Sequence, residues 1–212
     1  MVTLFAIMPS EREDRFVEPP WDAPFDEQAE LAAIPESCTI SGMFLAPLAV
    51  EARRRGITLP SARDRYVSFK FYPLVEHARL LLETCAQIYP DRSRRQALRK
   101  LGRGAPQALV STTLGRVVLG SVEGVASVVE AMAKAYPLNA RPSKVTVLES
   151  MRGRSIVRLE DIHYFLDSHH VGTFEGVLKY ARVRGRVRIA MRSRSAADLL
   201  LEWSDEAEGG EL

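Results

Sequence analysis

The sequence predicts one α+β domain, with helices from the N-terminal half packed on an antiparallel sheet from the C-terminal half. Between residues 69 and 135 apolar residues recur every three or four positions, which is the period of helices that bury one face. Beyond Pro142 apolar and polar residues alternate, which is the period of half-buried strands. The length of 212 residues, with 46% hydrophobic residues, suits one such layered core.

The helical half can be assigned from its apolar period and from the glycines and prolines that interrupt it. The clearest helix follows Phe69, buries Leu74, Leu81 and Cys85 on one face, and ends before Pro90. The other expected elements are a helix at 26–33, a strand at 37–42, a helix at 43–55 stopped by Gly56, a helix with Ala97, Leu98 and Leu101 that breaks at 102–104, helices at 106–119 and 122–135, and a loop at 136–142.

The C-terminal half is predicted to have the order ββαββ. KVTVLES and SIVRLE form one hairpin, and RVRIAMRS and ADLLLEW form a second. Residues 161–184 lie between the two hairpins and are expected to be helical, with a break at Gly172.

Acidic and basic residues are unevenly distributed along the chain. A flexible acidic arm is expected at 1–25 and an acidic tail at 204–212, with the single domain at 26–203. Residues 1–36 and 204–212 hold so many of the acidic residues that the intervening chain carries a net charge of +13. A basic body predicts binding to nucleic acid, an anionic membrane or an acidic protein, with the acidic tails as competitors, unless the charge is simply solvated.

The strand expected at residues 186–192 alternates arginine with apolar residues. Three apolar side chains are expected to face the core, namely Val187, Ile189 and Met191. The opposite face then becomes a basic platform, whose candidate partner-binding residues are Arg186, Arg188, Arg192 and Arg194. Few aromatic residues interleave with these arginines, so the platform lacks the stacking groups of a single-strand nucleic-acid binder.

The sequence carries no recognisable catalytic motif. It has no G-x-S-x-G nucleophile motif and no phosphate-binding G-K-[ST] ending. Asp161, His163, Asp167, His169 and His170 crowd together, but their spacing is poor for one metal ion, and capping and surface polarity are the simpler explanation. A protein without enzymatic activity and without a bound metal is therefore predicted.

A cytoplasmic location is also predicted. Cys38 and Cys85 show no C-x-x-C spacing and are expected to be buried, reduced thiols, with a disulfide as the alternative. The opening apolar run at 2–8 lacks a preceding basic residue, unlike a signal peptide. No apolar stretch approaches the ~18 residues that span a bilayer.

Several segments, in order, resemble a family of roughly two-hundred-residue paralogous proteins of unknown function that is expanded in myxobacteria. They are FKFYPLVEHARLL, ALRKLGRG, TTLGRVV, FLDSHHVGTFEGVL and ADLLLEW, and the resemblance covers about residues 29 to 203. More distantly, the C-terminal layout is similar to a superfamily that contains haem-nitric-oxide sensor domains, 4-vinyl-reductase-like domains and TRAPP vesicle-tethering subunits. That resemblance implies a ligand held between helices and sheet, or an assembly surface.

Haem is disfavoured, because the sensors' Tyr-x-Ser-x-Arg clamp is expected just before the last strands and residues 190–194 contain no tyrosine. The run Tyr66-Val67-Ser68-Phe69-Lys70 resembles this clamp motif, but it precedes the helices that would hold haem and ends in lysine instead of arginine. His77 is a conceivable axial ligand, although a lone helical histidine is more often a core or boundary residue.

Two hypotheses follow from the sequence. The first is a non-enzymatic signalling or scaffold module that binds a small apolar ligand, another protein or a second copy of itself. The second is nucleic-acid binding through the arginine face.

Overall fold

The computed structural model describes residues 14–110, 115–116 and 122–204. Its helices are α1 (Glu27–Ala32), α2 (Gly42–Arg54), α3 (Leu74–Ile88), α4 (Arg94–Val110), α5 (Val125–Asn139), a π-helical turn (Leu166–His170) and α6 (Val171–Tyr180). Its strands are β1 (Thr39–Ser41), β2 (Phe71–Pro73), β3 (Ala140–Arg141), β4 (Lys144–Met151), β5 (Arg154–Glu160), β6 (Arg184–Ser193) and β7 (Ala196–Ser204).

The two C-terminal hairpins form one antiparallel sheet in the order β4-β5-β7-β6. Alternate residues of β5, β6 and β7 face the helices and are buried in the main core, among them Val157, Leu159, Val187, Ile189, Leu199 and Leu201. We call this the inner face of the sheet and the opposite one the outer face. The predicted α+β class and the ββαββ order are confirmed.

Local signals explain where the N-terminal helices begin. The Asp26 carboxylate accepts a hydrogen bond from the Ala29 amide at the start of α1, and the Ser41 hydroxyl accepts one from the Met43 amide at the start of α2. Helix α3 has the most regular apolar face, and its Leu81 and Cys85 are fully buried. None of the helices in the described residues is long and apolar enough to cross a membrane.

The glycines that were expected to break helices instead sit where two helices touch. Helix α4 continues through Gly102, and the π-helical turn and α6 run past Gly172 without interruption. A Cβ on Gly102 would lie within 3.0 Å of the His169 carbonyl oxygen, and one on Gly172 equally close to the Arg99 carbonyl oxygen. The predicted breaks at 102–104 and 172 are wrong, because Gly102 and Gly172 allow close packing of backbones and α4 simply continues through Gly104.

The predicted loop at 136–142 is also wrong in its first half. Helix α5 extends to Asn139, and β3 follows directly. Strand β3 joins β1 and β2 in a small second sheet of order β2-β1-β3. Part of the helix predicted at 106–119 lies outside the described residues.

Residues 14–25 pack against the domain instead of forming a free linker. Val17 and Ile189 exchange two backbone hydrogen bonds of 2.9 Å. The Phe16 ring is buried on the outer face beside Leu200. Farther along, the Arg99 guanidinium lies 3.6 Å from the centre of the Trp21 ring. We call residues 14–25 the strap, because they join the outer face of the sheet to α4.

Candidate functional site

The four arginines predicted to form a basic platform are all ion-paired. Arg186 and Arg188 approach the Glu202 carboxylate at 2.9 and 3.1 Å. Arg192 lies 3.6 Å from the Asp198 carboxylate, and Arg194 pairs at 3.5 Å with Glu30 of α1. The alternation of the strands explains the pairing, since Asp198 and Glu202 of β7 project from the same face as the arginines of β6.

The register predicted for β6 holds through Met191, which pairs with Ala197, but the predicted burial holds only for Val187 and Ile189. Both aliphatic side chains are buried, whereas the Met191 side chain is 49% exposed. Beyond Met191 a bulge before Ser193 shifts the pairing with β7, so the regular alternation of β6 ends there.

Asp198 is the centre of the outer face. Its side chain is fully buried, yet three guanidinium groups reach it, those of Arg158 at 2.8 Å, Arg15 at 2.9 Å and Arg192 at 3.6 Å. Burial alone would raise the pKa of Asp198, but the hydrogen bonds and charge of Arg158, with the charges of Arg15 and Arg192, outweigh it and lower that pKa.

The outer face carries more positive than negative charge. Five arginines surround the two carboxylates of Asp198 and Glu202, namely Arg15, Arg158, Arg186, Arg188 and Arg192. Three positive charges in this network are therefore not balanced by its own carboxylates.

A cluster of histidines and tyrosines fills the interior between the helices and the sheet. The Tyr136 hydroxyl of α5 lies 3.0 Å from the Tyr164 hydroxyl and 3.1 Å from His170 Nε2. The Tyr164 ring also stacks edge-on against His77 of α3 and against His170, with ring centres 5.5 and 4.7 Å apart. His169 neighbours His170 at 5.5 Å.

These histidines are buried as neutral imidazoles. Burial, followed by the nearby charge of His170, lowers the pKa of His77 to about 3, and burial lowers the pKa of His170 to about 4. Burial also holds the pKa of His169 well below its usual value. The Nδ1 atoms of His77 and His169 and the hydroxyl of Ser168 are buried without a hydrogen-bond partner.

The prediction that the acidic and histidine-rich segment at 161–170 is surface polarity is wrong for His169 and His170. Both are buried, whereas Asp167 pairs with Arg95 of α4. Within the described residues no three His, Cys, Asp or Glu side chains are grouped so that they could hold a metal ion. The sequence singled out His77, His169 and His170 separately but did not predict that they meet, because the members of the cluster come from three separate parts of the chain.

The cluster leaves little free space. A partly open cavity of about 20 Å³ adjoins it, lined by Met132, Tyr136, Val145, Leu159, His170, Thr173 and Phe174. That volume suits about one water molecule, whereas pockets for drug-sized ligands measure about 300–1,000 Å³. A haem group does not fit between the helices and sheet as these side chains are arranged.

The tyrosine of the run at 66–70 serves a local structural role. The Tyr66 hydroxyl accepts a hydrogen bond from the Arg63 amide and donates one of 2.8 Å to the Glu76 carboxylate of α3. These two hydrogen bonds occupy the Tyr66 hydroxyl and anchor the loop before α3.

Comparison with solved structures relates the fold to H-NOX proteins. An unliganded Fe(II) H-NOX protein from K. algicida aligns with a TM-score of 0.58 and 11% identity, over 79% of this chain and 98% of that one. An H-NOX protein from S. oneidensis in the Fe(II)NO state gives 0.56 and 14%, over 78% and 100%. A variant of Tt H-NOX gives 0.64 and 12%, over 82% and 100%. The resemblance to the haem-nitric-oxide-binding fold is confirmed as a likeness of fold.

Comparison with protein families gives a match, whereas comparison with curated proteins gives none. No curated protein matches the chain. Residues 35–204 match the model of a protein family of unknown function, DUF2378. This range agrees with the resemblance seen over residues 29 to 203 of the sequence. The chain therefore belongs to the DUF2378 family.

Proposed function

We propose that this protein is a non-enzymatic signalling or scaffold module that docks an acidic segment of a partner protein on the outer face of its sheet. The observation that carries the proposal is the network on that face in which five arginines surround the two carboxylates of Asp198 and Glu202. Guanidinium groups bind carboxylates through paired hydrogen bonds, so such a face suits glutamate and aspartate side chains.

The network also orders the arginines before a partner arrives. The Arg188 side chain is only 19% exposed and touches both Glu202 and the backbone carbonyl oxygen of Phe16. Arg158 forms two hydrogen bonds with Asp198. Because the carboxylates already hold these side chains in place, an incoming acid loses less entropy in ordering them.

The small-ligand version of the first hypothesis has less support. It requires space between the helices and the sheet, and the cavity there measures about 20 Å³. The nucleic-acid hypothesis has less support, because few aromatic residues interleave with the platform arginines to stack on bases. Binding to an acidic protein segment is the hypothesis that uses the observed charge excess.

The non-enzymatic part of the proposal is supported by the state of the reactive side chains. Burial raises the pKa of Cys85 to about 12 and, with the charge of Asp161, raises the pKa of Cys38, which makes both thiols poor nucleophiles. Both cysteines are free and buried, which also suits the cytoplasm that we propose as the location.

Peptide binding tests the proposal. The probe is a fluorescent octaglutamate peptide, measured by anisotropy at about 50 mM salt, where charge contacts are weakly screened. We expect the double variant Arg186→Gln/Arg188→Gln to bind about tenfold more weakly, because two charge-assisted contacts are lost. The matched control is Arg65→Gln/Arg79→Gln, which removes two exposed arginines elsewhere and should bind as the parent does.

Three outcomes would contradict the proposal. One is the absence of peptide binding at this salt concentration, and another is an equal loss in the control variant. The third is tighter binding to a DNA oligonucleotide of matched charge than to the peptide, which would favour the nucleic-acid hypothesis.

A further inference from the structure

A tight turn within residues 63–70, the loop that precedes β2, carries the most exposed large apolar side chain of the described residues. The Lys70 amide donates a hydrogen bond of 3.0 Å to the Val67 carbonyl oxygen, so Ser68 and Phe69 form the tip of the turn. Phe69 is 75% exposed and Val67 is 50% exposed. Single exposed apolar residues are common on protein surfaces, so the surroundings of this turn decide what it can bind.

The backbone of the turn is firmly anchored to the domain. The Ser68 carbonyl oxygen accepts hydrogen bonds from the Met43 amide at 3.0 Å and from the Ser41 hydroxyl at 2.8 Å. The Val67 amide donates one of 2.9 Å to the Tyr72 hydroxyl. The fold therefore presents the aromatic ring at the tip on a fixed backbone, and a group held in this way loses little freedom when it meets another surface.

Basic side chains surround the turn. The charged groups of Arg63 and Lys70 lie 5.2 and 5.6 Å from the centre of the Tyr72 ring. The Arg53 guanidinium donates a hydrogen bond of 2.8 Å to the Asp64 carbonyl oxygen. The loop and the groups that contact it or the following aromatic residue hold five basic residues, Arg53, Arg63, Arg65, Lys70 and Arg141, and two acidic ones, Asp64 and Glu76. The acidic residues therefore leave three positive charges around the turn unbalanced.

An apolar tip among basic side chains suits the surface of an anionic membrane. Aromatic side chains favour the boundary between headgroups and acyl chains, and a ring at the tip of a turn can enter that boundary without a preformed pocket. Basic side chains lay their apolar stems along the same boundary while their charges meet lipid phosphates. A protein partner would instead need a pocket matched to the ring.

We propose that the loop at 63–70 docks this protein on the surface of an anionic membrane. Phe69 and Val67 enter the boundary between headgroups and acyl chains, and Lys70 and Arg141, which lies 4.1 Å from the centre of the Phe71 ring, meet lipid phosphates. This docking uses none of the residues of the outer face, so it goes beyond the proposed function and does not rest on it.

Co-sedimentation with vesicles tests the apolar part of the proposal. The probe is phosphatidylcholine vesicles with about 30% phosphatidylserine, whose anionic surface attracts basic segments. Val67→Ala/Phe69→Ala should lower the partition coefficient about tenfold, because the buried apolar contact is lost. The matched control is Val17→Ala/Met151→Ala, which removes side chains that are 56% and 55% exposed elsewhere and should bind as the parent does.

Variants of the basic residues test the electrostatic part. Lys70→Gln/Arg141→Gln should lower the partition coefficient by at least about tenfold, since each basic residue near an anionic surface strengthens binding about fivefold. Arg186→Gln/Arg188→Gln removes two charges from the outer face and should lower it less than about twofold, because distant charges are screened by salt. Vesicles of phosphatidylcholine alone should bind the parent weakly.

A tryptophan at the tip of the turn reports whether the ring enters the membrane. Phe69→Trp fluorescence, measured as the difference from the parent, should be quenched by vesicles with brominated acyl chains. The Met151→Trp variant is the control and should not be quenched. Equal vesicle binding by the parent and the loop variants, or an unquenched tryptophan at position 69 in bound protein, overturns the proposal.

Octaglutamate binding separates this proposal from the proposed function. If the loop variants lose vesicle binding while the peptide binds no variant and no parent, membrane docking stands and the proposed function fails. If only the outer-face variant loses vesicle binding, the outer face is the surface that attracts anions and membrane docking through the loop is refuted. If the loop variants lose peptide binding and vesicles bind nothing, the loop contacts acidic protein and membrane docking is again refuted.

Discussion

At the scale of single residues, the molecule combines a neutral interior with an ionised outer face. His77, His169 and His170 are buried around Tyr164 without a neighbouring acid among their ring contacts. Asp198 is as deeply buried but lies among three guanidinium groups. The two groups of residues therefore respond to pH and to substitution in opposite ways.

The histidines predict that the protein loses stability in mild acid. Their pKa values are lower in the folded chain than the value of about 6.5 in the unfolded chain, so the unfolded chain binds more protons below pH 6.5. The contribution of these histidines to the unfolding free energy should be fully present above pH 6.5. It should decrease as the pH drops below 6.5, and the loss should be complete once the pH has passed the folded pKa values of about 4 and 3. At pH 5 the protonation of His77 and of His170 in the unfolded chain should each cost about 2 kcal/mol of stability.

Urea unfolding between pH 7.5 and pH 5 measures this effect, because most carboxylates stay ionised in that range. A His77→Phe variant removes one titrating group from the cluster and should show a shallower dependence. An unfolding free energy that is constant across this range would contradict the prediction.

The burial of Asp198 among three guanidinium groups leads to a prediction about the stability of its variants. Asp198→Asn leaves the shape intact but removes the charge that holds Arg158, Arg15 and Arg192, and it should destabilise the protein by about 2 kcal/mol. Glu202→Gln is the matched control on the same strand. Its side chain is 28% exposed, so its pairs are screened and we expect a loss below about 1 kcal/mol. Equal losses in chemical denaturation would count against this view of the outer face.

At the scale of the elements, periodicity in the sequence predicts the long helices and all four strands of the main sheet, because each buries one face. It does not predict β2 and β3, which span three and two residues and are too short to show a period. It also misjudges Gly102 and Gly172, since a glycine that breaks a helix and one that lets two helices touch look alike in sequence. The partners of the β6 arginines lie on β7 and α1, so the ion pairs depend on tertiary structure.

The contact between α4 and α6 gives a paired prediction. Gly172→Ala places a methyl group within 3.0 Å of the Arg99 carbonyl oxygen, which is backbone and cannot rotate away. We expect a loss of about 3 kcal/mol as the helices move apart. Gly104→Ala, also in α4, meets nothing within 4 Å and should stabilise the helix by up to about 1 kcal/mol. Thermal unfolding of both variants checks the sign as well as the size.

At the scale of the whole molecule, the fold is that of the H-NOX proteins with an interior closed by its own side chains. The strap adds a second covered surface, since Phe16 packs on Ile156, Ala190 and Leu200 of the outer face. The sequence of the strap, rich in proline and charge, predicted a flexible arm. Its few apolar residues carry no period, so their docking could not be foreseen.

From the packing of the strap we predict that the Phe16 ring contributes strongly to the stability of the fold. Phe16→Ala should cost about 3 kcal/mol, because it removes a buried ring and leaves apolar residues of the sheet open to water. Val17→Ala, whose side chain is 56% exposed, should cost less than about 0.5 kcal/mol, since its backbone pair with Ile189 remains. Similar unfolding midpoints for the two variants would show that the strap adds little.

The backbone pairing of Val17 with Ile189, which we call the Val17 bridge, also affects whether copies of the chain associate in concentrated solution. Strand β6 ends the sheet on one side, and the backbone groups of Ile189 that point outward are satisfied by Val17. On the other side, β4 is kinked by a bulge between Val147 and Glu149. An open edge is a template for fibril-like stacking of strands from neighbouring molecules. A chain cleaved after residue 18 should therefore aggregate through β6, the border that the bridge otherwise protects.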